Sequence, residues 1–151
     1  MSETIKQWER VNRALKRIEN NRNRKMEEYE DDVWFFFQNC WHLKDWIKND
    51  AAIDQQHQQS VEADVHDIKE LVICADLANR SKHLKLTSKR VDADVTSRNT
   101  TIHTSPLGEG YGEYNFIITC DDRKELDAIE IARASVEKWS KLLTSYGVLN
   151  K

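Results

Sequence analysis

The stretch Asp32-Val-Trp-Phe-Phe-Phe-Gln-Asn-Cys-Trp-His-Leu-Lys-Asp-Trp-Ile-Lys48 carries three Trp and three Phe with no Gly or Pro to interrupt it. Wound at roughly 100° per residue, Val33, Phe36, Phe37, Cys40, Leu43 and Ile47 fall on one stripe, which predicts a helix over about 25–48. Phe35 and Trp46 fall nearly opposite, beside His42. A helix apolar on two faces either lies at the centre of its domain or is partly covered by a second chain, so a homodimer is one of two expectations.

Upstream, Ile5, Trp8, Val11, Leu15 and Ile18 recur every three or four positions and predict a helix over about 3–20. The Asn-rich stretch from Asn20 to Asn23 weakens it, because Asn side chains compete for backbone hydrogen bonds. Downstream, the polar run from Asn49 to Gln59 reads as a connection. Ser60 then caps a third helix, over about 60–82, with Val61, Val65, Ile68, Leu71, Val72, Ala75 and Ala78 as its stripe.

After His83 the period shifts towards two. Leu84 and Leu86, then Val91, Ala93 and Val95, then residues 100–104 read as strands, and Tyr114, Phe116, Ile118 and Cys120 alternate with their neighbours. Pro106 and three of the four glycines mark a tight turn between them. Asp122 and Glu125 have capping-box spacing and open a last helix over about 122–146, which Gly147 stops in a left-handed conformation. The expectation is one mainly α domain over 1–151: a four-helix-bundle-like fold with a two- or three-stranded β-meander, within about 84–120, inserted before the last helix.

Composition fits one core. A chain of 151 residues buries roughly 68–70% of its unfolded surface, and five Trp, four Phe and four Tyr offset a hydrophobic share of only 39%. With 23 basic against 26 acidic residues the net charge is −3, so any nucleic-acid site is local. The basic runs from Arg17 to Lys25 and from Arg80 to Arg90 are read mainly as solvated faces. Cys40, Cys74 and Cys120 lack CxxC spacing and suit a reducing cytoplasm, and no apolar run approaches a membrane span. No cofactor is implied, and the leading readings hold no metal.

Chemistry concentrates in two strings. Extending the third stripe forward from Val61, Val65, Ile68 and Val72 lands on Asn79 and His83, with Asp76 at its margin, so polar groups stand where apolar ones are expected. In the second helix His42 and Asp45 are three apart and share a face. One reading is structural, with Asn79 and His83 tying off helix carbonyls and Asp45 orienting His42. The other is a pocket in which His42, Asp45, Asn79 and His83 supply acid–base chemistry and Arg80 and Lys82 steady an anion. A metal held by His42, His83 and a Cys or Asp is a third, without any familiar ligand spacing. His57, His66 and His103 lie on polar stretches and read as surface residues.

The strings His42-Leu-Lys-Asp-Trp46 and Asp76-Leu-Ala-Asn-Arg-Ser-Lys-His83, followed by a hairpin and a Trp-bearing last helix, resemble a group of small uncharacterised bacterial and phage proteins. Their helical layout is similar to the HEPN superfamily, and the likeness spans about Asp32 to Leu143. It implies RNA cleavage without a metal, in toxin or anti-phage defence, with RNA or a protein as partner. Only two residues separate Arg80 from His83, a narrower gap than the superfamily's catalytic Arg-to-His pattern has. Members without that pattern are expected to act as binding or scaffolding partners.

Overall fold

The computed structural model describes residues 2–22, 24–82, 94–104, 110–119 and 125–150. Its elements are α1 (Glu3–Glu19), α2 (Met26–Asn49), α3 (Gln55–His66), α4 (Lys69–Lys82), β1 (Asp94–Thr104), β2 (Gly110–Thr119), β3 (Glu125–Asp127) and α5 (Ala128–Ser145). It is a mainly helical bundle with a small antiparallel sheet before the last helix.

The aromatic helix is the hub. α1, α3, α4 and α5 all pack on α2, and its expected stripe of Val33, Phe36, Phe37, Cys40, Leu43 and Ile47 is buried throughout. Each large side chain taken out of water there contributes about 1.5–3 kcal/mol. On the far side, the Arg10 guanidinium of α1 sits 5.5 Å from the Trp46 ring. Central placement therefore accounts for most of the two-faced character of α2. Phe35 is the exception, 37% exposed and the one exposed large hydrophobic side chain among the described residues.

α1 forms as expected but presents a rotated face. Thr4, Gln7, Val11, Ala14 and Ile18 are buried, while Ile5, Trp8 and Leu15 lie on the flank. Hydrogen bonding makes this possible at Gln7, because a satisfied polar group can stand in a core. Gln7 Nε2 donates to the Asn39 carbonyl at 3.0 Å and to Asn39 Oδ1 at 3.2 Å. The helix stops at the Asn-rich stretch, where the Arg24 guanidinium donates to the carbonyls of Arg17 (2.9 Å) and Asn20 (3.3 Å) that the stop sets free.

Its first turn is held from the far end of α2. Asp50 Oδ2 accepts from Ser2 Oγ at 2.5 Å and from the Thr4 N–H at 2.8 Å, and Oδ1 accepts the Ala52 N–H at 3.0 Å.

The expected third helix is two helices. The run Gln55-Gln-His-Gln-Gln59 is helical, so α3 begins at Gln55 after Asp54, and Ser60 lies inside it; Gln is a good helix former, and its polarity alone suggested a connection. The helix then ends at Asp67, whose N–H reaches the carbonyls of Ala63 and Val65. α4 restarts from the Ile68 carbonyl, which accepts from the amides of Leu71 and Val72 at 3.0 Å. This break re-phases everything after it. Residues 71–78 are all buried, so α4 is a central rod without an amphipathic stripe.

The sheet runs β1-β2-β3, antiparallel throughout, with an irregularity between Val95 and Ser97. Phe116 and Ile118, two apart on β2, are buried as strand alternation requires. The Phe116 ring meets Tyr29 of α2 edge-on at 5.3 Å, and the Tyr29 hydroxyl donates to the Ile18 carbonyl of α1 at 2.7 Å. One tyrosine thus joins two helices and the sheet.

The last helix starts later than the capping-box spacing suggested. Glu125 lies in β3, and the cap is Asp127, whose carboxylate accepts the N–H groups of Ile129 (2.9 Å) and Glu130 (3.0 Å). At the other end Gly147 has φ +74°. The Gly147 N–H reaches Thr144 O at 3.0 Å and the Val148 N–H reaches Leu143 O at 2.9 Å, the paired bonds of a Schellman stop. Leu84, Leu86, Val91, Ala93, Pro106, Cys120 and Asp122 lie outside the described residues.

Candidate functional site

α2 and α4 come together where Gln38 Nε2 donates to Ser81 Oγ at 2.8 Å and Ser81 Oγ donates to the Ala78 carbonyl at 2.7 Å. Beside that contact is an open hollow of about 470 Å³ lined by Asp31, Trp34, Phe35 and Gln38 of α2 and by Arg80 and Ser81 of α4. The spacing explains the lining. Positions 31, 34, 35 and 38 are one helical face, opposite the buried stripe.

One guanidinium lies against the exposed ring, and a second lies nearby on Asp32. The Arg17 guanidinium of α1 lies 5.0 Å from the Phe35 centroid, and its Nε is 3.4 Å from Asp32. Arg24 also bonds Asp32 and lies 5.3 Å over the Tyr29 ring. An aromatic plane with guanidinium groups nearby and an amide and a hydroxyl at its base can take a flat, polar ring. Asp31, on the lining, disfavours a phosphate inside the hollow itself.

The groups singled out from the sequence do not gather here. Arg80 lines the α2–α4 hollow, whereas Asp45 lines a different one of about 380 Å³ with Glu3, Trp46, Asn49 and Asp50. The Asp45 carboxylate accepts from Lys44 at 2.7 Å. His42 is exposed on α2, one turn beyond Gln38, and Asn79 is part-buried on α4. Among the described residues no hydrogen bond joins His42 to Asp45. Lys82 closes α4, with its side chain outside the described residues, as is the whole of His83. The placement of Asn79 differs from the projected stripe because that projection ran through the α3–α4 break.

Two polar arrangements were not visible as pairs in the sequence. Lys44, 8% exposed, sits 4.8 Å over the Trp41 ring and 3.3 Å from Glu62. Burial raises the Glu62 pKa, but hydrogen bonds and charge from Lys48 and Lys44 outweigh it and hold the carboxyl below its ordinary value. At the foot of α5, the Tyr146 hydroxyl donates to Asp64, which also accepts from Ser60 Oγ at 3.0 Å, and the Tyr146 ring stacks on His57 at 4.3 Å. The first joins α2 to α3 and the second joins α3 to the end of α5.

No group of three His, Cys, Asp or Glu side chains that could hold a metal ion occurs among the described residues. None of the described helices is long and apolar enough to cross a membrane. No protein-family model, curated protein or solved structure matches the chain.

Proposed function

We propose that the protein is a nucleic-acid-binding domain that takes a single-stranded segment, RNA first of all, at the hollow between α2 and α4. The observation that carries this is Phe35: one large apolar ring left in solvent, under the Arg17 guanidinium and on the wall of a hollow that Arg80 also lines. Bases stack on aromatic rings with little regard to sequence, and guanidinium groups fit phosphate oxygens, so this combination suits a splayed base with its backbone on the arginine side. The resemblance to the HEPN superfamily points to the same class of partner, in a cytoplasmic and defence-related setting. Binding rather than cleavage is the reading, because His42 and Asp45 stand apart from the hollow.

Anisotropy of a labelled single-stranded RNA is the test. Binding that Phe35→Ala weakens about 5- to 100-fold is expected, the worth of one stacked base. Equal binding by wild type and Phe35→Ala would sink the reading. Incubation of the full chain with mixed RNA, with and without chelator and beside His83→Ala, addresses cleavage: shortened RNA that the variant leaves intact would restore the nuclease reading.

A second reading rests on the same ring. Trp34 and Phe35 are adjacent on the outer face of α2, which suits a contact between two copies of the chain, and no enzymatic role would then be needed. Light scattering separates the two. A wild-type dimer that Phe35→Ala converts to monomer, with no RNA binding, would favour it.

A further inference from the structure

Cys40 and Cys74 meet in the core where α2 crosses α4, with their sulfurs 3.6 Å apart and neither side chain exposed. Cys74 Sγ is also 3.2 Å from Ser135 Oγ of α5. A disulfide needs the sulfurs at about 2.05 Å, so closing the gap takes an approach of roughly 1.5 Å. Two thiols far apart in sequence are thus held in non-bonded contact, on the two helices whose Gln38–Ser81 contact borders the hollow.

We infer that Cys40 and Cys74 are an oxidation site, closed by hydrogen peroxide into an intramolecular disulfide that ties α2 to α4. In the first step one sulfur, as thiolate, attacks a peroxide oxygen. The O–O bond breaks, hydroxide leaves and takes up a proton as water, and a sulfenic acid forms. In the second step the other thiol gives up its proton and attacks the sulfenic sulfur. The S–O bond breaks, a second water leaves and the S–S bond forms. The two electrons lost by the pair are those gained by the peroxide. Full burial admits only a small oxidant and makes reaction depend on local opening of the bundle, and burial together with the neighbouring Cys74 raises the Cys40 pKa, which slows it further. The site is a slow clamp, and it stands independently of what the hollow binds.

The test treats the full chain, wild type and Cys120→Ser, with excess hydrogen peroxide, then quenches, alkylates under denaturing conditions and maps peptides by mass. The expected result is a linked peptide pair containing Cys40 and Cys74, lighter by two hydrogens than the reduced pair, in both proteins and lost on treatment with dithiothreitol. Recovery of both cysteines as alkylated thiols or as sulfinic and sulfonic acids, or linkage only through Cys120 in the wild type, would overturn it.

Discussion

The Asp50 carboxylate caps α1 from across the fold, accepting the Thr4 backbone N–H at 2.8 Å over a separation of 46 positions in the chain. The acceptor that a helix usually finds in its own N-cap side chain is here supplied by the residue that follows α2. The start of one helix and the end of another are therefore a single structural unit.

Strong acid should loosen this unit. Burial by itself raises the Asp50 pKa, but hydrogen bonds from Ser2, Thr4 and Ala52 outweigh it and bring the carboxyl from 3.8 to about 2. A depressed carboxyl stabilises the fold fully above its unfolded value, and that contribution fades as pH falls from about 4 towards 2. Asp50→Asn should cost about 1–2 kcal/mol at neutral pH and flatten the acid limb of urea midpoints across that window. An unchanged acid limb in the variant would contradict the assignment.

Alkali acts through two phenols. Burial raises the Tyr29 pKa well above 10, and burial followed by the Asp64 hydrogen bond does the same for Tyr146. The neutral form is favoured in the fold, so this contribution is intact below pH 10 and is lost as pH climbs beyond it. Phenolate absorbance should show these two tyrosines ionising together with unfolding, and Tyr146→Phe should cost about 1 kcal/mol. Early, independent titration of all four tyrosines would argue against it.

Phe116 seats the sheet on the helices through the Tyr29 ring. Phe116→Ala should therefore cost about 3–5 kcal/mol in chemical denaturation while the far-ultraviolet helical signal of the folded state persists. A cost under about 1 kcal/mol would mean that the sheet is not anchored there.

Phe35 and Phe36 are neighbours in sequence, about 100° apart around α2, the first exposed and the second fully buried. Phe35→Ser should change stability by no more than about 1 kcal/mol, the worth of an exposed contact with Arg17. Phe36→Ser leaves a cavity and a buried hydroxyl and should cost more than about 4 kcal/mol. Paired thermal melts make the comparison directly.

Much of this architecture could be read from periodicity. The buried stripe of α2 and the left-handed stop at Gly147 follow from residue types and spacing alone. What periodicity missed has physical causes. α1 turns Gln7 inward because Asn39 satisfies it, and that partner lies far away in sequence. The α3–α4 break carries neither Gly nor Pro, so no local signal marked it. The candidate site was legible only in part: Phe35 stood out as an aromatic on the wrong face, whereas Gln38 and Ser81 become neighbours only when α2 and α4 pack.

The all-round burial of α4 sets how its residues can vary. In α1 a charge is accepted at most positions and refused at every third or fourth, so substitution effects along it should pulse. From Leu71 to Ala78 every side chain is at most 8% exposed, and the one ionisable group among them, Asp76, is itself fully buried. Replacing each of the seven apolar residues there by lysine should lower the yield of folded protein at every one, a plateau where an ordinary surface helix would give a wave.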